Sequence, residues 1–172
     1  LAVCAILVSK SLHELGHAYT AHYFGCSVSS IGIMLMMLTP MLYANVTDSW
    51  RLPSRRQRVL IDLAGVMAEL ALGAVALFLW AFLPDGPWRS VAFTLATASI
   101  AASLVINLNP LMRFDGYYIL ADLWGVENLS ERAFRHMRWQ LRQTLFGLGQ
   151  SSPENPESVS HPALLFYAVL TC

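Results

Sequence analysis

Apolar stretches separated by short polar breaks organise the sequence. The first runs from Leu1 to about Phe24, with a polar insertion from Lys10 to His17. It predicts a membrane helix that Gly25 ends as a cap. Val28 to Val46 is apolar, uncharged and rich in Met and Leu, with Pro40 inside it. Its β-branched start, Val28, Ile31 and Ile33, fits strands or a re-entrant hairpin as well as a near-spanning segment, and the pattern leaves these open. Asp48 to Arg58 is a polar break holding four arginines, Arg51, Arg55, Arg56 and Arg58. Val59 to about Leu83 predicts a second helix, long enough to cross a hydrocarbon core of about 30 Å, and it carries Asp62 and Glu69. After the tight turn Pro84-Asp85-Gly86-Pro87, Ser90 to Met112 predicts a third span, broken near its end by Asn109-Pro110.

Beyond the third span the pattern becomes amphipathic. Asn128 to about Phe146 predicts a helix that Asn128 caps, with Glu131 completing a capping box. Leu129, Ala133, Met137, Leu141 and Leu145 form its apolar stripe, and Arg132, Arg135, Arg138 and Arg142 populate another face. Such a helix suits anionic headgroups. The predicted domain organisation is a membrane-embedded core over residues 1–146, followed over 147–172 by a Gly/Ser/Pro-rich linker and the start of a further, truncated transmembrane segment. Leu1 lies inside an apolar run without a basic n-region, so it does not read as a signal peptide, and the sequence reads as part of a longer protein.

Composition strengthens the membrane reading. The 172 residues are 56% hydrophobic and 13% charged, with a mean hydropathy of +0.50. Soluble domains carry about 25% charged residues. The predicted class is therefore an all-α polytopic membrane protein of about three transmembrane helices, with a short re-entrant or β-hairpin element after the first. The formal net charge is +0, and the arginine-rich helix shows no groove-forming pattern, which argues against a nucleic-acid partner. Cys4, Cys26 and Cys172 form no CxxC pair, so neither a disulfide framework nor a cysteine metal site is expected. The arginines also orient the chain. Arg51 to Arg58 and Arg113 to Arg142 fall on one side of the membrane, whereas Arg89, opposed by Asp85, falls on the other. The positive-inside rule puts the first two groups in the cytoplasm, with the ends of helices one and three.

Chemistry enters with His13-Glu14-Leu15-Gly16-His17, an H-E-x-x-H motif. Positions four apart on a helix share a face, so both imidazoles can address one ion, and two neutral imidazoles suit zinc. Glu14 beside them is placed to accept a proton from water held there. Ionisable groups inside a membrane are costly and are usually functional. Zinc catalysis needs a third protein ligand and an open position. His22 stands off the ligand face and reads as interfacial, and Glu127 or Glu131 would require a soluble architecture. Asp115 is the better candidate. Pro110 breaks the helix before it, and irregular backbone at membrane depth must line a protein or watery cavity. The alternative is that Asp115-Gly116 merely forms a helix-ending turn.

These residues carry a family resemblance. H-E-x-x-H in one membrane helix, followed by Asn107, Pro110, Asp115 and Gly116 in the pattern N-x-x-P-x-x-x-x-D-G, resembles the site-2 protease family of intramembrane zinc metalloproteases. The stretch Asn109 to Tyr118 is similar to a branch of bacterial peptide zinc metalloproteases that are often joined to, or encoded beside, HlyD-like components of export systems. The resemblance spans about residues 5 to 145. It implies a zinc ion held by His13, His17 and Asp115, with Glu14 as catalytic base and Asn107 binding substrate or steadying an oxyanion. Many relatives read A-G-P-x-x-N in the second span, where this chain has Ala64-Gly65-Val66-Met67-Ala68-Glu69. Glu69 is either a partner of a metal-bound histidine or a neutral carboxyl bonded between helices.

The function expected is hydrolysis of a membrane or exported peptide, or a transmembrane-helix substrate, in the lipid bilayer of a bacterial inner membrane. The active site would face the cytoplasm, and HlyD-like export components are the implied partners. Two other readings stay open: a non-catalytic scaffold or peptide-channel subunit of an export complex, and a metal-binding membrane sensor. An intact Glu14 weighs against a scaffold, which needs no base.

Overall fold

In the computed structural model, which describes residues 2–36, 39–147 and 161–171, the first apolar stretch is helix α1 (Ala2–Tyr23). Gly25 follows it in the left-handed region (φ +81°), where a glycine carries no Cβ penalty. The second stretch resolves as an antiparallel hairpin of β1 (Ile31–Met36) and β2 (Thr39–Ala44), in register from Ile31 opposite Ala44 to Met36 opposite Thr39. Of the open choices for this segment, the hairpin is the one formed. Ile33 and Leu35 stay more than 70% exposed, so the sheet is not built around a water-facing polar side.

A short 3₁₀ turn (Thr47–Arg51) leads into α2 (Arg55–Phe82). Asp48 ties this turn to the end of α1, accepting the Ser27 backbone N–H and hydroxyl at 3.0 Å each, which holds its carboxyl below the ordinary range. Helix α2 starts earlier than the hydrophobic pattern suggests, because Arg55 to Arg58 lie within it. Long arginine side chains can cover apolar surface while their heads reach water, so a basic run need not break a helix. Helix α3 (Pro87–Ala101) packs antiparallel to α2 and continues as a π-helical segment, Ala102–Asn107. The apolar helix that begins with α3 therefore ends before Asn109-Pro110 rather than at Met112. Among the described residues, Arg55–Phe82 and Pro87–Asn107 are long and apolar enough to cross a membrane. Their outer faces, including Phe78, Phe82 and Val105, are exposed, as expected of surfaces solvated by lipid. The described chain is mostly helical.

Helices α4 (Asp115–Trp124), α5 (Leu129–Phe146) and α6 (His161–Thr171) share an apolar cluster of Tyr117, Ala121, Val126, Leu129, Ala133, Leu164, Tyr167 and Ala168. The expected capping box at Asn128 does not form. Asn128 sits in the left-handed region (φ 53°) and its side chain makes no cap hydrogen bond, a backbone state asparagine tolerates well. The apolar stripe of α5 also splits. Leu129 and Ala133 are buried and Met137 packs against them, while Leu141 and Leu145 remain exposed. The Gly/Ser/Pro-rich linker falls almost wholly outside the described residues.

Candidate metal centre

Helix α1 places His13 and His17 one turn apart on the face that packs against α2. Both are buried, and their Nε2 atoms approach to 2.9 Å. His17 Nδ1 lies 2.7 Å from the Ile61 carbonyl oxygen, which can only accept. The ring proton therefore belongs on Nδ1, and His17 Nε2 carries a lone pair. Glu69 Oε2 stands 3.4 Å from His13 Nδ1 and favours the proton there in the same way. Asp115 closes the group, with Oδ2 at 3.0 Å from His13 Nε2 and Oδ1 at 3.4 Å from His17 Nε2. One ligand atom from each of His13, His17 and Asp115 falls within 4.8 Å of the others. Asp115 Oδ2 is buried without a hydrogen-bond donor. Both Nε2 atoms and the Asp115 carboxylate thus converge on one small volume, with Asp115 Oδ2 left without a donor, an arrangement that a bound cation would satisfy. Two histidines and one carboxylate match a catalytic zinc donor set with one position open.

Glycines make this convergence sterically possible. A Cβ at Gly65 would lie 2.4 Å from His17 Nε2 and 2.7 Å from His13 Cε1, so α2 yields the volume the imidazoles occupy. A Cβ at Gly16 would lie 2.7 Å from the Ala64 carbonyl oxygen, so α1 and α2 approach closely on both sides of the histidines. At Gly116 a Cβ would meet the Leu108 carbonyl at 2.5 Å, and this fit seats the start of α4 on the end of the π-helical segment. The intervening loop is braced twice. Asn109 Oδ1 accepts the Leu111 N–H at 2.9 Å, and the Tyr167 hydroxyl donates to the Pro110 carbonyl oxygen at 3.0 Å. Gly65→Ala is expected to push the imidazoles apart. Overpacking of this kind costs about 1–3 kcal/mol, or about tenfold to hundredfold in metal affinity. A chelator-competition titration measures it, and wild-type affinity in the variant would refute the steric account.

A cleft of about 290 Å³ opens beside the group, lined in part by Glu14, His17, Asp62, Asp115 and Tyr118. Glu14 faces it from α1, and its Oε2 accepts the Ala44 backbone N–H from the end of β2 at 3.1 Å. The hairpin therefore fixes the glutamate on the cleft wall. Across the cleft, Arg58 holds Asp122 at 2.7–2.9 Å and donates to the Leu52 carbonyl oxygen at 2.8 Å. The Arg58 guanidinium also lies 6.0 Å from the Trp50 ring centroid.

The residues expected to act at the site divide into two sets. His13, His17, Asp115 and Glu14 come together at or beside the cleft. Asn107 and Glu69 lie behind His13. Asn107 is buried and absent from the cleft lining, with its Nδ2 donating to Glu69 Oε2 at 2.6 Å and standing 3.3 Å from His13 Nδ1. His22 is exposed, and Glu131 pairs loosely with Arg113 at the surface. Sequence reasoning missed Gly65, whose role depends on a neighbouring helix, and the Arg58–Asp122 pair, which is separated by 64 residues. A charged Asp122 amid the apolar positions of α4 was the available signal.

Comparison with known proteins agrees with this geometry. The family model for peptidase family M50 matches residues 1–101, more than half of the chain. The candidate peptide zinc metalloprotease YydH of Bacillus subtilis is 26% identical over 152 residues, covering 87% of this chain and 57% of that protein. The candidate zinc metalloprotease Rip2 of Mycobacterium tuberculosis is 34% identical over 147 residues, covering 70% of this chain and 56% of that one. An uncharacterized protein of Methanocaldococcus jannaschii is 31% identical over 96 residues, covering 55% of this chain and 24% of its own length. The chain thus spans little more than half the length of the first two relatives. No solved structure gives a significant match. With H-E-x-x-H on α1, an aspartate brought to it from beyond the π-helical segment, and a family match across the first helices, the chain belongs to peptidase family M50, the metallopeptidase family of the site-2 proteases.

Proposed function

We propose that the protein is a zinc-dependent intramembrane metalloendopeptidase that cleaves a membrane or exported peptide. The observation that carries this reading is the meeting of His13, His17 and Asp115, whose ligand atoms converge beside a cleft that Glu14 also lines. Zinc held there supplies Lewis acidity, polarising a carbonyl oxygen and acidifying water. Glu14 accepts the proton of the attacking water as its oxygen bonds to the scissile carbonyl carbon. It then returns that proton to the amine nitrogen as the C–N bond breaks. The Ala44 N–H holds one oxygen of Glu14 and orients the base for this transfer. Glu69 supports His13 through Nδ1. The hydrogen bonds of Asn107 to Glu69 and Lys10 favour a role behind the ligands over one at the substrate.

The lipid bilayer, with α1 as a third span, is the setting that the apolar outer faces of α2 and α3 support. The positive-inside rule favours a cytoplasmic opening of the cleft. HlyD-like export components are proposed partners, and the export-scaffold reading is the rival. Zinc analysis and cleavage of a candidate transmembrane peptide by the full-length protein in detergent test the proposal. One zinc per chain with hydrolysis supports it, while peptide binding without hydrolysis favours the scaffold. Topology has its own test. Single cysteines at Ser54 and Gly86, in a background without native cysteines, are expected to label from opposite membrane faces. Labelling of both from one face breaks the three-span arrangement.

A further inference from the structure

Lys10 lies on α1 one turn before His13, with its side chain only 15% exposed. Its Nζ sits 2.9 Å from Glu69 Oε1 and donates to Asn107 Oδ1 at 3.0 Å. Glu69, on α2, is fully buried. Its Oε1 also accepts the Ser9 hydroxyl at 3.2 Å, and its Oε2 accepts the Ser103 hydroxyl at 2.5 Å and the Asn107 amide at 2.6 Å. One buried carboxylate therefore joins α1, α2 and the π-helical segment, with Oε2 left against His13 Nδ1. Two facts single out the lysine within this network. A carboxylate between apolar helices is strongly disfavoured without a counter-charge, and Lys10 brings one. Lysine can only donate, so its contact identifies the Asn107 atom facing it as the carbonyl oxygen and turns the amide NH₂ toward Glu69 and His13.

We propose that Lys10 is a positioning residue for the metal centre: by gripping Glu69 Oε1 and Asn107 Oδ1 it aims Glu69 Oε2 at His13 Nδ1 and so sets the angle at which His13 Nε2 addresses the metal. The inference rests on the reading of His13 as a metal ligand. It assigns to Lys10 an effect on metal binding that a plain inter-helix ion pair does not have. Outer partners of metal ligands typically change affinity by about 10–100-fold, which is the loss expected for Lys10→Met.

The test titrates zinc against a chelator and records the visible spectrum of the cobalt(II)-loaded protein. Wild type, His13→Ala, Lys10→Met and the double variant Lys10→Met/Glu69→Gln are compared in detergent, with thermal unfolding measured alongside. Lys10→Met is expected to bind zinc about 10–100-fold more weakly and to shift the cobalt bands. The double variant leaves no unpaired charge, so it is expected to recover thermal stability while zinc affinity stays low. Recovery of both affinity and spectrum in the double variant would reduce Lys10 to a structural ion pair and overturn the proposal. So would wild-type affinity and spectrum in Lys10→Met while His13→Ala loses zinc. Retention of zinc by His13→Ala overturns instead the ligand assignment beneath it. If Lys10→Met does not fold, the double variant is compared with Glu69→Gln, in which Lys10 still grips Asn107: a further fall in zinc affinity in the double variant is expected, and equal affinity and spectrum overturn the proposal.

Discussion

Glu14→Gln is expected to keep its zinc and lose peptide hydrolysis by about 10² to 10⁴ in kcat, the usual cost of removing a general base. The amide preserves the shape of the carboxylate, and its carbonyl oxygen can still accept the Ala44 N–H, so the cleft wall should be unchanged. What disappears is a site that takes a proton. Metal analysis and single-turnover cleavage on the same preparation separate the two effects. Near wild-type turnover would remove Glu14 from the mechanism. Loss of metal would show that Glu14 supports the centre rather than the chemistry.

Asp115→Ala is expected to produce the larger fall in metal affinity. It removes one of three protein ligands, so the loss should exceed the about 10–100-fold that outer partners cause. It also leaves His13 Nε2 and His17 Nε2 2.9 Å apart without a third group to fix an ion between them. Protein purified in detergent and dialysed against a mild chelator should contain little zinc. Full occupancy in Asp115→Ala would sink the assignment of the third ligand and leave Asp115 only its place in the first turn of α4.

The parts of the site legible in the sequence were those written locally. H-E-x-x-H needs only helical spacing to bring His13 and His17 to one side. Asp115 was legible because Pro110 signals a break, and it is this break that the structure brings beside the histidines. What escaped depends on distant neighbours. Gly65 is one of several small residues in α2, and its meaning appears only when α1 lays two imidazoles across it. Asn107 was expected to bind substrate or steady an oxyanion, and its amide hydrogen bonds to Lys10 and Glu69 behind His13 were not legible. Its side chain could not be aimed from sequence because the helix preceding it is not regular. The capping box at Asn128 was misread because the local pattern says nothing about the left-handed turn that packing imposes there.

That irregular stretch, Ala102–Asn107, has a consequence for comparing related chains. A π-helical turn amounts to one residue more than the α-helical repeat accommodates, and each α-helical residue advances about 100° around the axis. Asn107, at the end of the stretch, reaches Glu69 in the phase this extra residue sets. A relative shorter by a single residue here would still present an apolar span of nearly the same length. Its helix would run straight, however, with the residue aligned to Asn107 turned about 100° toward lipid. A one-position gap within an otherwise ungapped membrane helix would thus mark a rotated inner face in that relative, even where every motif residue is retained.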